Sequence, residues 1–474
     1  MAINQYNGFL SGMFGTRLPQ PEKTNEPNWI YKDKDGNNKI DIIKLGNEII
    51  KENEFVYITD GTKETLYRYL GNKKGYWDKT PVTYLNTLVA DKLGKYWRPK
   101  LEKDTVQFIN SHTKRIEAKN SIYQIPETNF NFKNGVFNWD AMELKPHNKK
   151  YHFTSVSGTN LNTQSLPTPV TDKWFKLTFG ENAKTMMEFI GYIFYPSYSA
   201  IQAYIILLGS GNDGKSTFIN KWLIPTVGRE NTTSISIKDL TSKSASNFKI
   251  SELHGKYLNA HSENSESTIN DTATLKMLTG GDSINADVKG QNDINFINIA
   301  KMIFATNNLP PFRDNSKGMY RRPFIIRFNR IPDFQNIIDW QQIESEKSAF
   351  IYKCILLAKE AIKKKSLTET PSILKDRAEW LGTNSPIATF LDECTKVAPD
   401  NEQDAIQLYN AYCNWCELNG NNYPSRSKFW QELKNNFDIP HYFHKPHGGK
   451  REYYLPDITI IGSISTIHPQ DKPK

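Results

Sequence analysis

The sequence has few of the features that would place a protein in a membrane or outside the cell. Only four cysteines occur in 474 residues, too few for the disulfide framework that stabilises many secreted proteins. No apolar run approaches the ~20 residues that a membrane-spanning helix needs. Residues 1–15 lack the charged start and the long apolar middle of a signal peptide. The sequence therefore predicts a cytoplasmic protein with no membrane partner.

The closely spaced cysteine pair, Cys413 and Cys416, is poorly suited to hold a metal. No second pair of Cys or His residues stands at the spacing of a zinc site. Leu408, Tyr412 and Trp415 share one face of a predicted helix with Cys416. Buried helix cysteines are therefore the favoured interpretation, and metal binding is the alternative.

Internal repeats and long low-complexity tracts are also absent. The chain is 38% hydrophobic and 23% charged, which is typical of globular domains. Its formal net charge of +9 favours a polyanionic partner but is compatible with a metabolic enzyme. From charge alone, nucleic acid is the favoured partner.

Turn signals and apolar segments divide the chain into five parts and predict an α/β fold. The parts are a loose arm at residues 1–28, an N-terminal α+β domain at 29–160, a central domain at 172–380, a small C-terminal domain at 384–455 and a poorly ordered tail at 456–474. The N-terminal domain contains a predicted strand at 54–58 and a predicted hairpin around 133–136.

One continuous apolar run in the central domain, at residues 203–208, is typical of a strand buried on both faces of a sheet. Residues 301–306 and 323–328, which are mainly apolar, are two further candidate strands. Helical patterns lie between these segments, so the central domain is predicted to contain a wound α/β sheet.

A phosphate-binding loop follows the first apolar run directly. Residues 209–217 read GSGNDGKST, which fits the pattern G-x-x-x-x-G-K-[ST]. In such a loop backbone N–H groups surround the phosphates, because glycine places no Cβ in the way. Lys215 is predicted to contact the β- and γ-phosphates of ATP, and the Ser216 hydroxyl to bind Mg²⁺. The predicted nucleotide-binding residues are Gly209, Gly211, Asn212, Asp213, Gly214, Lys215, Ser216 and Thr217.

Polar residues beside later strand-like segments supply further candidates for ATP hydrolysis. Glu263 follows one such segment, where a carboxylate can hold Mg²⁺ or polarise the attacking water; an ordinary surface glutamate is the alternative. Asn307 follows the apolar run at 301–306 and is placed to orient water near a γ-phosphate. Arg321 and Arg322 precede the last apolar run and are candidates for an arginine finger that reaches a neighbouring subunit.

In this order, the segments resemble the superfamily 3 helicases, in the branch of the phage and satellite primase-helicases and the poxvirus-type helicase-primases. The matching segments are residues 133–136, 188–192, 209–217, 262–263, 275–282, 305–310 and 321–328. The resemblance implies an AAA+-type P-loop ATPase core that uses ATP and Mg²⁺. It also implies a hexameric ring of identical subunits that moves 3′ to 5′ along one strand of DNA.

The sequence departs from its relatives at two points. Many relatives carry two adjacent acids where this chain has Ser262 beside Glu263, so the part that Glu263 plays, in water activation or in Mg²⁺ binding, stays open. Glu266 is a candidate to assist Glu263 in that role. The region before residue 157 lacks the paired-Asp pattern of nucleotidyl transfer, so a separate primase is expected. Of the two arginines, Arg322 is favoured as the finger.

Basic residues in two regions are predicted to contact DNA. Lys289 lies in a predicted hairpin tip at 288–292, and the resemblance implies that such tips face the central channel and its single strand; a solvated surface lysine is the alternative. From residue 404 the pattern is helix, turn, helix and basic hairpin, which resembles a winged helix. The residues predicted to contact duplex DNA there are Arg426, Lys428, Lys445, Lys450 and Arg451. A small subunit-interaction domain is the alternative.

These features predict an ATP-dependent DNA helicase that initiates replication of a phage, plasmid or mobile island in the cytoplasm of a bacterium. Two alternatives stay open: an RNA helicase of the same superfamily, and an origin-binding ATPase that melts DNA or loads a partner without processive unwinding. A small-molecule kinase is disfavoured, because it has no use for the arginine pair, the hairpin or the basic C-terminal domain.

Overall fold

The computed structural model describes most of the chain, in two compact units. The described residues are 26–60, 63–117, 128–242, 246–262, 269, 272–287, 293–311, 318, 321–384, 386–437, 439, 443–447 and 450–461. The first unit comprises residues 1–69 and 79–117, and the second comprises 70–78 and 118–474. Residues 128–160 thus belong to the second unit, whereas the sequence pattern grouped them with the N-terminal domain. Among the described residues, no helix has both the length and the apolar character needed to span a membrane.

The first unit is an α+β structure. Its elements are β1 (Ile30–Lys32), β2 (Asn38–Ile40), α1 (Ile42–Glu52), β3 (Phe55–Asp60), β4 (Lys63–Tyr69), α2 (Thr83–Leu93), α3 (Pro99–His112) and β6 (Arg115–Glu117), while β5 (Trp77–Lys79) spans the division between the units. Strand β3, predicted from the sequence, pairs with β4 in antiparallel and with β6 in parallel orientation. Asp41 caps α1, because its carboxylate accepts hydrogen bonds from the N–H groups of Ile43 and Lys44.

The second unit begins with a three-stranded antiparallel meander and two helices. These elements are β7 (Asn129–Phe132), β8 (Gly135–Asn138), β9 (Glu143–Lys145), α4 (Pro169–Phe179) and α5 (Ala183–Ile193). The two-residue connection between β7 and β8 confirms the hairpin predicted at 133–136. Asn131 in β7 is buried, and its side-chain amide donates to the carbonyl oxygens of Gly75 and Ser155.

A five-stranded parallel sheet forms the centre of the second unit. Its strands are β10 (Tyr204–Leu208), β11 (Thr232–Thr233), β12 (Leu258–His261), β15 (Lys301–Thr306) and β16 (Pro323–Arg327), in the spatial order β11-β12-β15-β10-β16. The three candidate strands of the sequence are therefore three adjacent strands. Ile205 and Leu207 of β10 pack into the core on one face of the sheet, and Tyr204 and Ile206 pack into the core on the other. Burial on both faces explains the continuous apolar run.

Helices and one hairpin complete the central region. They are α6 (Lys215–Thr217), a π-helical turn (Phe218–Leu223), α7 (Ile224–Val227), α8 (Ile237–Thr241), α9 (Ser246–Ser251), α10 (Thr272–Leu278), the hairpin strands β13 (Ser283–Ala286) and β14 (Ile294–Ile297), α11 (Phe334–Ile337), α12 (Trp340–Lys364) and α13 (Pro371–Asn384). Helices α12 and α13 are separate, because Lys365 adopts a left-handed conformation after α12 (φ of 57°) and Pro371 begins α13. Helix α12 packs closely on α5: a Cβ on Gly191 would lie 2.0 Å from the carbonyl oxygen of Cys354.

The C-terminal part contains the predicted helix, helix and hairpin. Its elements are α14 (Pro386–Cys394), β17 (Thr395–Asp404), α15 (Ala405–Leu418), α16 (Arg426–Asn436), β18 (Phe443–His447) and β19 (Lys450–Ile460), and the strands form an antiparallel sheet in the order β17-β19-β18. The predicted start of the tail at residue 456 is too early, because β19 pairs with β17 as far as Ile460.

The cysteine pair lies in α15. Cys413 and Cys416 are free and buried, which confirms the interpretation as buried helix cysteines. In the part of the chain that the structure describes, no cluster of His, Cys, Asp and Glu side chains is suited to a metal ion.

Candidate nucleotide-binding site

The phosphate-binding loop connects the central strand β10 to α6. A Cβ on Gly209, the first residue of the loop, would lie 2.1 Å from a carboxylate oxygen of Asp213, so glycine at this position lets that carboxylate pack against the loop backbone. Asn212 and Gly214 adopt left-handed conformations, with φ of 59° and 106°, which glycine tolerates best and asparagine better than most residues. The loop therefore curls tightly between strand and helix, as the sequence motif predicts.

The helix after the loop begins at Lys215 and continues without a break through the π-helical turn to Val227. Its first N–H groups have no partner within the helix and carry a partial positive charge, so this end favours an anion. Ser216 and Thr217 lie in the first turn and are exposed. Their hydroxyl groups are accessible to a phosphate or to a metal ion bound to it.

Lys215 is the centre of the polar contacts in the loop. Its side chain is only 6% exposed, and its Nζ donates to the Ser210 carbonyl oxygen at 3.0 Å, to Asp213 Oδ2 at 2.6 Å and to Asn307 Oδ1 at 3.2 Å. The structure thus brings together Lys215, Asp213 and Asn307 of the predicted site.

The ion pair between Lys215 and Asp213 was not foreseen from the sequence. The second carboxylate oxygen of Asp213 accepts from the backbone N–H of Lys215 at 3.2 Å, so this carboxylate bridges the backbone and the side chain of one residue. The signal in the sequence is an acid two positions before the lysine, in a loop otherwise made of uncharged residues.

Two further segments reach the loop because parallel strands end at the same edge of the sheet. Leu208, the last residue of β10, is in register with Thr306 of β15 and with Arg327 of β16. The residues that follow these strands, including Asn307 and Phe328, therefore surround the phosphate-binding loop. A ligand site outside the carboxyl ends of the strands is the general rule for open α/β sheets.

Cavities lie on both sides of the loop. One, of about 450 Å³, is lined by Asn212, Gly214 and Thr217 together with aromatic side chains. The other, of about 960 Å³, is more open and is lined by Ser210, Asn307 and residues of the C-terminal end of β16. Both volumes lie in the range of small-molecule sites, roughly 300–1,000 Å³.

The arginine pair lies at the amino ends of the strands, opposite the phosphate-binding loop and directly before β16. Arg322 is only 7% exposed, and its guanidinium donates to Thr279 Oγ1 at 3.0 Å, to Gln202 Oε1 at 3.1 Å and to the Gly318 carbonyl oxygen. Burial lowers the pKa of Arg322 below its usual value. Arg321 is exposed and donates to Gln202 at 2.6 Å. Exposure therefore favours Arg321 as the residue able to reach another chain, against the preference for Arg322 drawn from the sequence.

Three of the predicted site residues, Glu263, Glu266 and Lys289, lie outside the described residues. Strand β12, which leads toward Glu263, spans Leu258–His261. Strands β13 and β14 pair in antiparallel orientation on either side of the segment that contains Lys289.

The predicted DNA-contacting residues of the C-terminal part lie on α16 and on the hairpin. Arg426 and Lys428 are exposed in the first turn of α16. Ser425 occupies the N-cap position of this helix, but its side chain forms no capping hydrogen bond. In the hairpin, the backbone of Lys445 in β18 is in register with that of Glu452 in β19, and Lys450 and Arg451 are the first two residues of β19.

Three protein families match segments of this chain. Residues 60–180 match the family described as D5 N terminal like, residues 207–322 match a family of unknown function (DUF5906), and residues 382–461 match the family described as Poxvirus D5 protein-like. The D5-type matches thus lie on both sides of the phosphate-binding loop.

Solved structures of the NrS-1 C-terminal region are also similar to this chain. Its A form apo structure is 12% identical, with a TM-score of 0.49, and the similarity covers 88% of this chain and all of that chain. A second apo structure of the same region is 13% identical, with a TM-score of 0.46 and coverage of 88% and 99%.

Proposed function

We propose that this chain, a D5-like protein of the superfamily 3 primase-helicase group, is an ATP-dependent DNA helicase that acts in replication initiation of a phage or mobile element. The two D5-type family matches support a replication-related activity of the helicase or primase type. The observation that best supports ATP hydrolysis is the hydrogen bond between Lys215 of the glycine loop and Asn307, which follows β15. Both residues lie at the carboxyl ends of the parallel strands.

The residues present fit a magnesium-bound nucleoside triphosphate. Glycines place no Cβ between the loop N–H groups and phosphate oxygens, and Lys215 supplies a cation at the centre of the loop. The exposed hydroxyl of Ser216 is suited to hold Mg²⁺, which neutralises charge on the β- and γ-phosphates when bound. Asn307 lies beside Lys215 Nζ, which supports a role for its amide in orienting the attacking water. Glu263, in the segment after β12, remains our candidate for activating that water or completing the Mg²⁺ shell.

We further propose an AAA+-type assembly in which neighbouring copies complete each hydrolysis site. The arginine pair and the phosphate-binding loop lie at opposite ends of strands about 16 Å long, from five residues at ~3.3 Å each. Neither Arg321 nor Arg322 can therefore reach the phosphates held by its own chain. An arginine from another copy could enter the open cavity beside Asn307 and Ser210. The hexamer and the 3′–5′ polarity follow from the family resemblance.

The C-terminal part is proposed to be a winged-helix-like domain that binds duplex DNA. Its helix pair is followed by an antiparallel hairpin, and Arg426 and Lys428 are exposed at the start of the second helix. The N-terminal residues of a recognition helix contact base edges in the major groove, and basic residues of a hairpin suit phosphate contacts.

Strand displacement tests the proposed function. Duplexes with a single-stranded 3′ or 5′ tail are incubated with ATP and Mg²⁺, and release of the shorter strand is measured for the wild type and for Lys215→Ala. The matched control is Lys221→Ala, which removes an exposed lysine from the helix after the loop. We expect the wild type and the control to displace the strand only from the 3′-tailed duplex, and Lys215→Ala to displace neither.

The other outcomes separate the alternatives. Hydrolysis of ATP without displacement from either duplex would replace the helicase by an origin-binding ATPase that melts DNA or loads a partner. Displacement from RNA duplexes alone would indicate an RNA helicase. Equal activity of Lys215→Ala and the control would remove the phosphate-binding loop from the reaction.

A further inference from the structure

The cavity of about 450 Å³ beside the phosphate-binding loop has a composition unlike that of the loop itself. The loop contributes Asn212, Gly214 and Thr217 to one wall, and the opposite wall contains Trp174, Phe334 and Trp340. A charged phosphate does not pack favourably on aromatic rings, whereas a nucleobase has a flat apolar face that stacks on them.

The position of the cavity agrees with the direction in which a bound triphosphate must run. Lys215 Nζ lies beside Asn307, which places the terminal phosphate of the proposed substrate on the Asn307 side of the loop. The first phosphate, and the nucleoside attached to it, must then lie on the opposite side. Thr217, in the first turn of the helix, lines the cavity on that side.

The aromatic wall is held in place by the core behind it. The ring centroid of Trp174 lies 5.6 Å from that of Trp340 and 6.5 Å from that of Phe334, and the Phe334 and Trp340 centroids are 6.1 Å apart. Trp174 is buried, while Phe334 and Trp340 are half-buried. The two half-buried rings therefore offer accessible faces whose positions are fixed before any ligand binds.

A polar residue lines the same cavity. Asp333 lines the cavity, is exposed, and adopts a left-handed conformation with φ of 53° directly before α11. At this N-cap position its carboxylate forms no capping hydrogen bond, although aspartate caps helices well. The carboxylate is thus available to accept hydrogen bonds from vicinal hydroxyl groups. A left-handed non-glycine residue is uncommon, and such residues cluster at ligand sites.

We propose that this cavity binds the nucleoside of ATP, with the base packed on Phe334 and Trp340 and the ribose hydroxyls donating to Asp333. The inference rests on the proposed ATPase function and adds to it the part of the chain that recognises the nucleoside. It assigns that recognition to residues 328–339, the segment between β16 and α12, to Trp340 at the start of α12, and to α4.

Comparing ATP with inorganic tripolyphosphate isolates the nucleoside contribution. Equilibrium binding of each, with Mg²⁺, is measured by calorimetry for the full chain and for Phe334→Ala. The control is Phe248→Ala, which removes an aromatic side chain that is 54% exposed. We expect Phe334→Ala to weaken ATP binding at least tenfold and to leave tripolyphosphate binding unchanged. The control should change neither.

A second variant tests the ribose contact without disturbing the aromatic cluster. Asp333→Asn should weaken ATP binding severalfold but leave the binding of 2′,3′-dideoxy-ATP unchanged, because that analogue has no ribose hydroxyls to donate. Intrinsic fluorescence supplies an independent readout: ATP, but not tripolyphosphate, should change the tryptophan emission, and Trp340→Phe should reduce that change.

The outcomes distinguish failure of this inference from failure of the proposed function. Equal weakening of ATP and tripolyphosphate in Phe334→Ala, or unchanged ATP binding in both variants, would overturn the nucleoside site and leave the phosphate-binding loop in place. Binding of neither ligand by the wild type would overturn the nucleotide-binding function itself.

Discussion

On the proposed function, replacing Asp213 by asparagine should tighten ATP binding. In the structure Asp213 Oδ2 lies 2.6 Å from Lys215 Nζ, and the two side chains are only 3% and 6% exposed. A bound phosphate must take over this lysine, so the carboxylate competes with the ligand. A charge-assisted hydrogen bond of this kind contributes about 1.5–3 kcal/mol, and about 1.4 kcal/mol corresponds to a tenfold change in affinity. Asp213→Asn should therefore tighten ATP binding roughly 10- to 100-fold.

The same substitution should destabilise the protein without ligand. Lys215 would keep its hydrogen bonds to Ser210 and Asn307 but lose its buried counter-charge, at a cost of about 1–3 kcal/mol. The assay combines ATP titration by calorimetry with thermal unfolding at saturating ATP. The variant should have the lower Tm alone and the larger increase in Tm with ATP. Weaker ATP binding together with a higher Mg²⁺ requirement would refute this reasoning, because it would show that Asp213 helps to hold the metal.

Three further predictions concern other parts of the chain. Burial lowers the pKa of Lys301 well below its usual range, so the unfolded state binds more protons than the folded state. The free energy of unfolding of the wild type, relative to Lys301→Met, should therefore rise as the pH increases toward about 10.4. A difference in urea unfolding that does not depend on pH would contradict this. Mixing Arg321→Ala subunits with wild type should reduce ATPase activity more steeply than dilution does, whereas simple dilution behaviour would exclude a contribution in trans. Replacing Lys450 and Arg451 by alanine should weaken duplex DNA binding and flatten its salt dependence; unchanged binding at low and moderate salt would leave the C-terminal part as an interaction domain.

Patterns confined to one segment predicted the structure well. The loop at 209–217 needs only its own glycines and its position after β10, and the strands at 204–208, 301–306 and 323–327 are marked by burial on both faces. The hairpin at 133–136 was predicted for the same reason, since a turn signal between two short apolar segments is local.

Features that depend on distant segments were not predictable in this way. The burial of Arg322 results from Thr279 and Gln202, which lie 43 and 120 positions away in the sequence. The aromatic wall of the nucleoside cavity combines Trp174 with Phe334 and Trp340, and each of these residues alone reads as an ordinary core position. Contacts set by the fold, rather than by local spacing, decide whether such side chains face a ligand or the protein interior.

The separation of the arginine pair from the phosphate-binding loop has a consequence for symmetry. If Arg321 of one copy serves the loop of the next, the contact joins two different surfaces and is heterologous rather than isologous. An open row of such copies leaves one loop without an arginine at one end and one arginine pair unused at the other. Closing the row removes both defects, so every nucleotide site becomes equivalent only in a cyclic assembly. Because the arginine pair and the phosphate-binding loop lie at opposite ends of the same strands, each copy presents a different surface to each of its two neighbours.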